Sequence, residues 1–132
     1  SAVENRFSTM ERRTPQRDAI RQAVEEAGRP LSPQEILDAA AARAPGIGLA
    51  TVYRTVKAGV DEGWLKPVEL PAGPTRYEQA GKRHHHHFEC TSCRRVFDIQ
   101  GCPGNLNRLL PAGFALVDHE VLLYGRCEVC NT

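Results

Sequence analysis

Four cysteines in the last third of the chain have the spacing of a zinc site. Two residues separate Cys90 from Cys93, and two separate Cys127 from Cys130. Such a short gap lets both thiolates of a pair turn onto one ion, and two pairs complete a tetrahedral shell with no open position for catalysis. Two disulfides or four buried thiols are the alternatives. The regular spacing favours a structural Zn(II) ion.

Histidines supply a second set of candidate ligands. Four are consecutive, from His84 to His87, and they end two residues before Cys90. Neighbouring residues of a strand point to opposite faces, so His85 and His87 share one side while His84 and His86 share the other. One run can therefore serve two sites. A purification tag or a solvated loop is the alternative, although the internal position argues against it.

Composition restricts the class of protein. The 132-residue chain has a formal net charge of +1, so any DNA binding depends on local placement of basic residues. The odd cysteine, Cys102, would be a liability in an oxidising compartment, which favours the cytoplasm. No apolar run reaches the roughly 20 residues of a membrane span, so we expect no membrane partner. The first residues lack the apolar core of a secretory signal, so we expect an intracellular protein.

Two other functions compete with a regulatory role for the metal ligands. A zinc-dependent enzyme would need an open metal position and a general base, but no His-Glu-x-x-His or similar spacing is present. A module that only buffers metal ions through its histidines is the other alternative. We predict a protein that is not an enzyme.

Three helices are predicted ahead of these ligands. Thr14 caps the first, which ends at Gly28, and Ser32 and Glu35 form a capping box for the second. Apolar residues recur at helical spacing from Leu49 to Gly63 and define the third. Each boundary rests on a local capping or turn signal.

A two-stranded hairpin is predicted after the helices, because residues 64–70 and 75–79 flank a Pro-Ala-Gly-Pro turn. Three helices and a hairpin form a winged helix-turn-helix, whose third helix enters the major groove of DNA. A helical bundle with an incidental hairpin is the alternative. We assign residues 1–79 to this domain, with 1–10 as a flexible tail.

Residues 80–132 predict a small α/β domain built around the cysteines, which makes the fold class α+β. We expect strands at 88–89, 95–99 and 114–124 and a short helix at 103–110. The domain is too small to stand alone, and a long apolar strand is a natural docking edge. The sequence therefore predicts a homodimer.

Three segments resemble the ferric uptake regulator superfamily of bacterial metal-dependent repressors. They are GLATVYRTV at 48–56, HHHHFECTSC at 84–93 and HEVLLYGRC at 119–127. The similarity runs from about Thr14 to Cys130 in the same order. It implies a homodimeric repressor of metal-homeostasis or oxidative-stress genes, in which a regulatory metal sets the angle between two DNA-binding domains on a palindromic operator.

The resemblance places Tyr53 and Arg54 at the DNA surface of the third helix. An aromatic ring can contact a thymine methyl group, and a guanidinium can bind a phosphate or a guanine edge. Core packing is the alternative for Tyr53, because it continues an apolar stripe. Thr51 and Lys57 are further candidates for backbone contact. Phosphate or minor-groove contacts are also open to Arg12, Arg13 and Arg17, for which a solvated face is the alternative.

The resemblance also implies a sensing site made of His85, His87, Glu78 at the hinge and Asp98 on the following strand. Imidazole and carboxylate ligands suit Fe(II), Mn(II) or Zn(II), and geometry rather than affinity selects among them. Asp98 stands where iron sensors often have Glu, which is similar to the peroxide-sensing branch of the superfamily. That branch is the alternative subtype.

A further site is implied on the opposite face, where His84 and His86 would meet His119. The carboxylate that many members carry nearby has no clear counterpart in this chain. Cys102 is either a substitute ligand or a small buried residue.

Two other positions depart from the superfamily pattern. Pro30 stands where many members have a bridging histidine, so coupling to the first domain would rest on Glu78. Ala80 lies near the position where zinc sensors often carry a cysteine, which argues against a zinc sensor.

Overall fold

A computed structural model of the chain describes residues 14–83 and 85–132, which divide into two units between Ala80 and Gly81. The predicted tail at 1–10, Arg12, Arg13 and His84 lie outside the described residues. Within the described ranges no helix is long and apolar enough to cross a membrane. Each unit forms its own secondary structure.

The first unit contains three helices followed by a hairpin, in the order that the sequence predicts. The helices are α1 (Pro15–Ala27), α2 (Pro33–Ala41) and α3 (Leu49–Glu62). Strands β1 (Leu65–Val68) and β2 (Arg76–Gln79) pair in antiparallel fashion. Together with the sheet of the second unit, this confirms the α+β fold class.

The predicted capping signals act as expected. Thr14 Oγ1 accepts a hydrogen bond from the Arg17 amide at 3.0 Å, and Gly28 ends α1 with a positive φ of 64°. Ser32 and Glu35 bond reciprocally at the start of α2. These contacts satisfy amides that have no partner inside the helix.

One apolar face of each helix forms the core of the first unit. Ile20, Ile36 and Val52 are fully buried, one from each helix. Gly59 lets α3 approach the start of the hairpin, because a Cβ there would lie 2.8 Å from Leu65 Cδ1 and 2.9 Å from the Trp64 ring. This packing holds α3 against β1.

The second unit is a three-stranded sheet with β3 in its centre. Strand β3 (His86–Cys90) pairs antiparallel with β4 (Val96–Ile99) and parallel with β5 (Leu122–Gly125). The antiparallel register places His87 opposite Asp98. The parallel register places Cys90 opposite Gly125, so the chain leaves β5 beside the end of β3.

One sequence prediction for the second unit is wrong, and a second is only partly correct. The strand expected at 114–124 is only the short β5, and Phe114 and Val117 are 67% and 96% exposed. The short helix expected at 103–110 is present only as a 3-10 helix, Leu106–Leu109. Apolar content alone suggested both elements, but a strand needs a paired neighbour, and only β5 has one among the described residues of that segment.

Replacing Glu35 with Gln tests the capping box. Burial raises the pKa of Glu35, but the Ser32 amide and the Arg29 guanidinium donate to its carboxylate at 2.9 Å each and hold the pKa below its ordinary value. A carboxyl group whose pKa is lower in the folded state stabilises the folded protein at pH values above its unfolded-state pKa. This stabilisation is lost as the pH falls through the folded-state pKa. We expect Glu35→Gln to lower the free energy of unfolding by about 1 kcal/mol at pH 7.

The measurement is urea unfolding at pH 7 and at pH 3.5. The difference between the variant and the parent protein should shrink at the lower pH, because a larger fraction of Glu35 is then protonated. Glu25→Gln is the control, since Glu25 pairs with Arg21 on the exposed side of α1. An unchanged difference at both pH values would show that the charge of Glu35 contributes nothing.

Candidate metal centres

The four predicted zinc ligands converge at one end of the second unit. Cys90 ends β3, Cys93 follows in the turn, and Cys127 and Cys130 come directly after β5. All four Sγ atoms lie within 4.8 Å of one another. All five cysteines of the chain are free thiols, so the disulfide alternative does not apply. Four convergent sulfur ligands fit a tetrahedral structural Zn(II).

Backbone donors prepare this cluster for a cation. The amides of Cys93 and Cys127 each donate to Cys90 Sγ at 3.4 Å and lower its pKa to about 5. Side-chain hydrogen bonds with Cys127 and then Cys90 raise the pKa of Cys130 to about 12. The amides therefore stabilise a thiolate, the form that binds zinc, at Cys90.

A second cluster lies where β3 and β4 pair. The Nε2 atoms of His85 and His87 both lie 3.6 Å from Asp98 Oδ1. This oxygen is buried, and among the described residues it has no hydrogen-bond partner. His85 Nδ1 lies 2.7 Å from the Arg83 carbonyl and must donate to it, so a neutral ring carries its lone pair on Nε2, where a metal can bind.

An unpaired buried carboxylate oxygen facing two imidazoles is the arrangement that a divalent cation completes. Three of the four predicted sensing ligands are thus together in the second unit. Glu78, the fourth, lies on β2 of the first unit and is 1% exposed. Its role as a ligand stays a prediction. Pro30 is fully buried.

A third cluster contains His86, Cys102 and His119. The Nε2 atoms of His86 and His119 lie 3.4 and 3.3 Å from Cys102 Sγ. The Val121 amide donates to His86 Nδ1 at 3.1 Å, so the ring proton of His86 must be on Nε2. His86 therefore differs from His85, whose Nε2 is unprotonated. The sequence could not predict this difference, because backbone groups distant in the chain determine it.

The candidate DNA contacts are spread over two grooves beside α3. One, of about 420 Å³, is lined in part by Arg17, Thr51 and Arg54, and Arg54 Nη2 donates to Thr51 Oγ1 at 3.1 Å. The other, of about 500 Å³, lies between α3 and the hairpin and includes Tyr53 and Lys57. Tyr53 is 51% exposed, so it is not part of the core.

The fold and these clusters define a metal-binding α+β protein, and comparisons identify its family. The family model described as "Ferric uptake regulator family" matches residues 9–124. The zinc uptake regulation protein of Mycobacterium tuberculosis is 31% identical over 124 residues, covering 92% of this chain and 95% of that protein. The ferric uptake regulation protein of Bacillus subtilis is 30% identical over 125 residues, covering 89% and 84%.

A solved structure supports the same assignment. A zinc-bound manganese uptake regulator superimposes with a TM-score of 0.76 at 27% identity, covering 93% of this chain and 97% of that one. The chain belongs to the ferric uptake regulator family, whose members are metal-responsive transcription regulators.

Proposed function

We propose that this chain is a metal-responsive repressor that binds DNA as a homodimer. The observation that carries the proposal is the unpaired Asp98 Oδ1 facing the Nε2 atoms of His85 and His87. A buried carboxylate oxygen without a partner is costly, and a bound cation would remove that cost. The four-cysteine cluster would hold a structural Zn(II) that does not respond to the signal.

The regulatory ion would be Fe(II), Mn(II) or Zn(II). The names of the relatives include ferric, zinc and manganese regulators, so similarity does not select one metal. Glu78 would complete the sensing ligands from the end of the first unit. Occupation of this site would then favour one arrangement of the two DNA-binding units and strengthen operator binding through its higher affinity for that state.

The first unit would contact DNA through α3. The first turn of α3 carries no acidic residue, and Gly48 offers no capping side chain. The backbone amides at the N-terminus of α3 would therefore attract a DNA phosphate. Tyr53 is exposed for base contact. Arg17, Thr51, Arg54 and Lys57 would bind the backbone or base edges.

The second unit would supply the dimer interface. Most of the large apolar side chains that are exposed among the described residues belong to it. They are Leu109, Phe114, Val117, Leu123, Tyr124 and Val129. A second copy would bury them, and the homodimer proposal predicts that mutating them to polar residues yields monomers.

A DNA-binding titration tests the regulatory proposal. Protein retaining one zinc per chain would be titrated onto DNA selected in vitro, with Fe(II) under anaerobic conditions, Mn(II), Zn(II) or chelator. At least one metal should tighten binding about tenfold or more, as typical coupling energies predict. Asp98→Ala should abolish the response while keeping the structural zinc. Equal affinity with every metal and with chelator would rule out metal sensing.

We also expect the third cluster, together with His84, to be a weaker additional metal site. A metal at His86 Nε2 would move the ring proton to Nδ1, and the Val121 amide would lose its acceptor. Because leaving this part-buried amide without an acceptor costs up to about 1–3 kcal/mol, binding should be about tenfold weaker than at the sensing cluster. In a chelator-competition titration, His119→Ala should remove the weaker step and His87→Ala the tighter one. The reverse assignment would contradict the ranking.

A further inference from the structure

The two oxygens of the Asp98 carboxylate have different surroundings. Oδ1 faces the Nε2 atoms of His85 and His87 and has no hydrogen-bond partner among the described residues. Oδ2 instead accepts from Lys82 Nζ at 2.5 Å. The Asp98 side chain is 8% exposed, whereas that of Lys82 is 22% exposed. Lys82, the more exposed residue of the pair, therefore contacts Oδ2, while Oδ1 faces the two imidazoles.

This contact restricts how Asp98 can bind a metal. A carboxylate can bind an ion through one oxygen or through both, and the second mode requires Oδ2. While Lys82 Nζ donates to Oδ2, it competes with a metal for that oxygen, so binding through Oδ1 alone is favoured. One oxygen and two imidazoles fit the low coordination number of Zn(II), whereas Mn(II) prefers six ligands that are rich in oxygen.

We infer that Lys82 is a specificity-determining residue of the sensing cluster, which disfavours Mn(II) relative to Zn(II) by keeping Asp98 a one-oxygen ligand. The inference rests on the proposed function, because it needs a metal at Asp98. Lys82 also places a positive charge beside the cluster, but that charge weakens the binding of every divalent ion alike. The ratio of affinities therefore separates the geometric effect from the electrostatic one.

The experiment compares Lys82→Met and Lys82→Gln with the parent protein, all loaded with zinc at the four-cysteine cluster. Affinities for Zn(II) and Mn(II) would be measured by chelator competition, and the Mn(II) environment by electron paramagnetic resonance. Both variants should raise the affinity for Mn(II) relative to Zn(II) by about tenfold, the size typical of outer-shell changes. Lys82→Arg, which keeps the cation and a donor, should leave the ratio unchanged. Lys66→Met is the control, since Lys66 is an exposed lysine on β1.

Two outcomes overturn the inference in distinguishable ways. If the parent protein binds an additional metal but the ratio is the same in Lys82→Met and Lys82→Gln, Lys82 does not determine specificity and the proposed function stands. If the variants bind both metals more tightly by the same factor, the inference is also overturned, because only the charge of Lys82 then affects binding. If the parent protein binds no metal beyond the zinc of the four-cysteine cluster, the proposed function and this inference fail together. Circular dichroism of each variant confirms that it is folded before binding is compared.

Discussion

Cys127→Ser is expected to remove zinc from the protein and to unfold the second unit. The four Sγ atoms lie within 4.8 Å of one another, and Cys90 and Cys127 are buried. A structural Zn(II) contributes about 10–16 kcal/mol of apparent binding free energy in zinc-finger peptides. That is comparable to the whole stability of an ordinary small domain, about 5–15 kcal/mol. A three-stranded sheet of four- and five-residue strands has little core to replace it.

The measurements are zinc content by mass spectrometry and amide hydrogen exchange resolved along the chain. Zinc should fall from one per chain to near zero, and protection should be lost in β3, β4 and β5 while α1, α2 and α3 keep theirs. Cys102→Ser is the matched control, since it removes a thiol outside the four and should retain the zinc. A Cys127→Ser protein with one tightly bound zinc and a protected sheet would show that the four-cysteine cluster is not the structural site.

Arg54→Ala is expected to weaken DNA binding about 10- to 100-fold, which corresponds to about 1–3 kcal/mol for a lost base or phosphate contact. Arg54 is exposed on α3 and its guanidinium contacts only Thr51 Oγ1 among the hydrogen bonds described. The substitution should therefore leave thermal stability nearly unchanged. Tyr53→Ala should act in the same direction, because half of its surface is exposed and little core packing is lost.

Fluorescence anisotropy on DNA selected in vitro with the parent protein would measure both effects. Arg43→Ala is the control. Arg43 lies just after α2 and pairs with Glu26, so this variant loses the same charge at another exposed position and should bind DNA like the parent protein. If Arg54→Ala and Tyr53→Ala also bind like the parent, α3 does not read DNA. A protein that binds metal but no selected DNA would instead be a metal-buffering module.

Local signals determined the helices of the first unit in advance. Thr14, Gly28 and the Ser32–Glu35 capping box act within a few residues of their own position, so they are readable without knowledge of the fold. The cysteine pairs are readable for the same reason, because two ligands separated by two residues form half of a zinc site by themselves.

Contacts between distant parts of the chain decided the rest. The length of β5 depends on how much of residues 114–124 pairs with β3, so an apolar pattern overestimated it. The alternation of the histidines was predictable, because neighbouring strand residues point to opposite faces. Which nitrogen each ring offers was not, because the Arg83 carbonyl determines it for His85 and the Val121 amide determines it for His86.

The four cysteines were therefore identified by the sequence alone, since their chemistry depends on type and spacing. The sensing cluster was only partly identified. Sequence and resemblance named His85, His87 and Asp98, but the unpaired Oδ1 and the Lys82 contact at Oδ2 follow from the pairing of β3 with β4. Tertiary structure decides such properties, because the partners of a buried carboxylate are chosen by packing rather than by their distance along the chain.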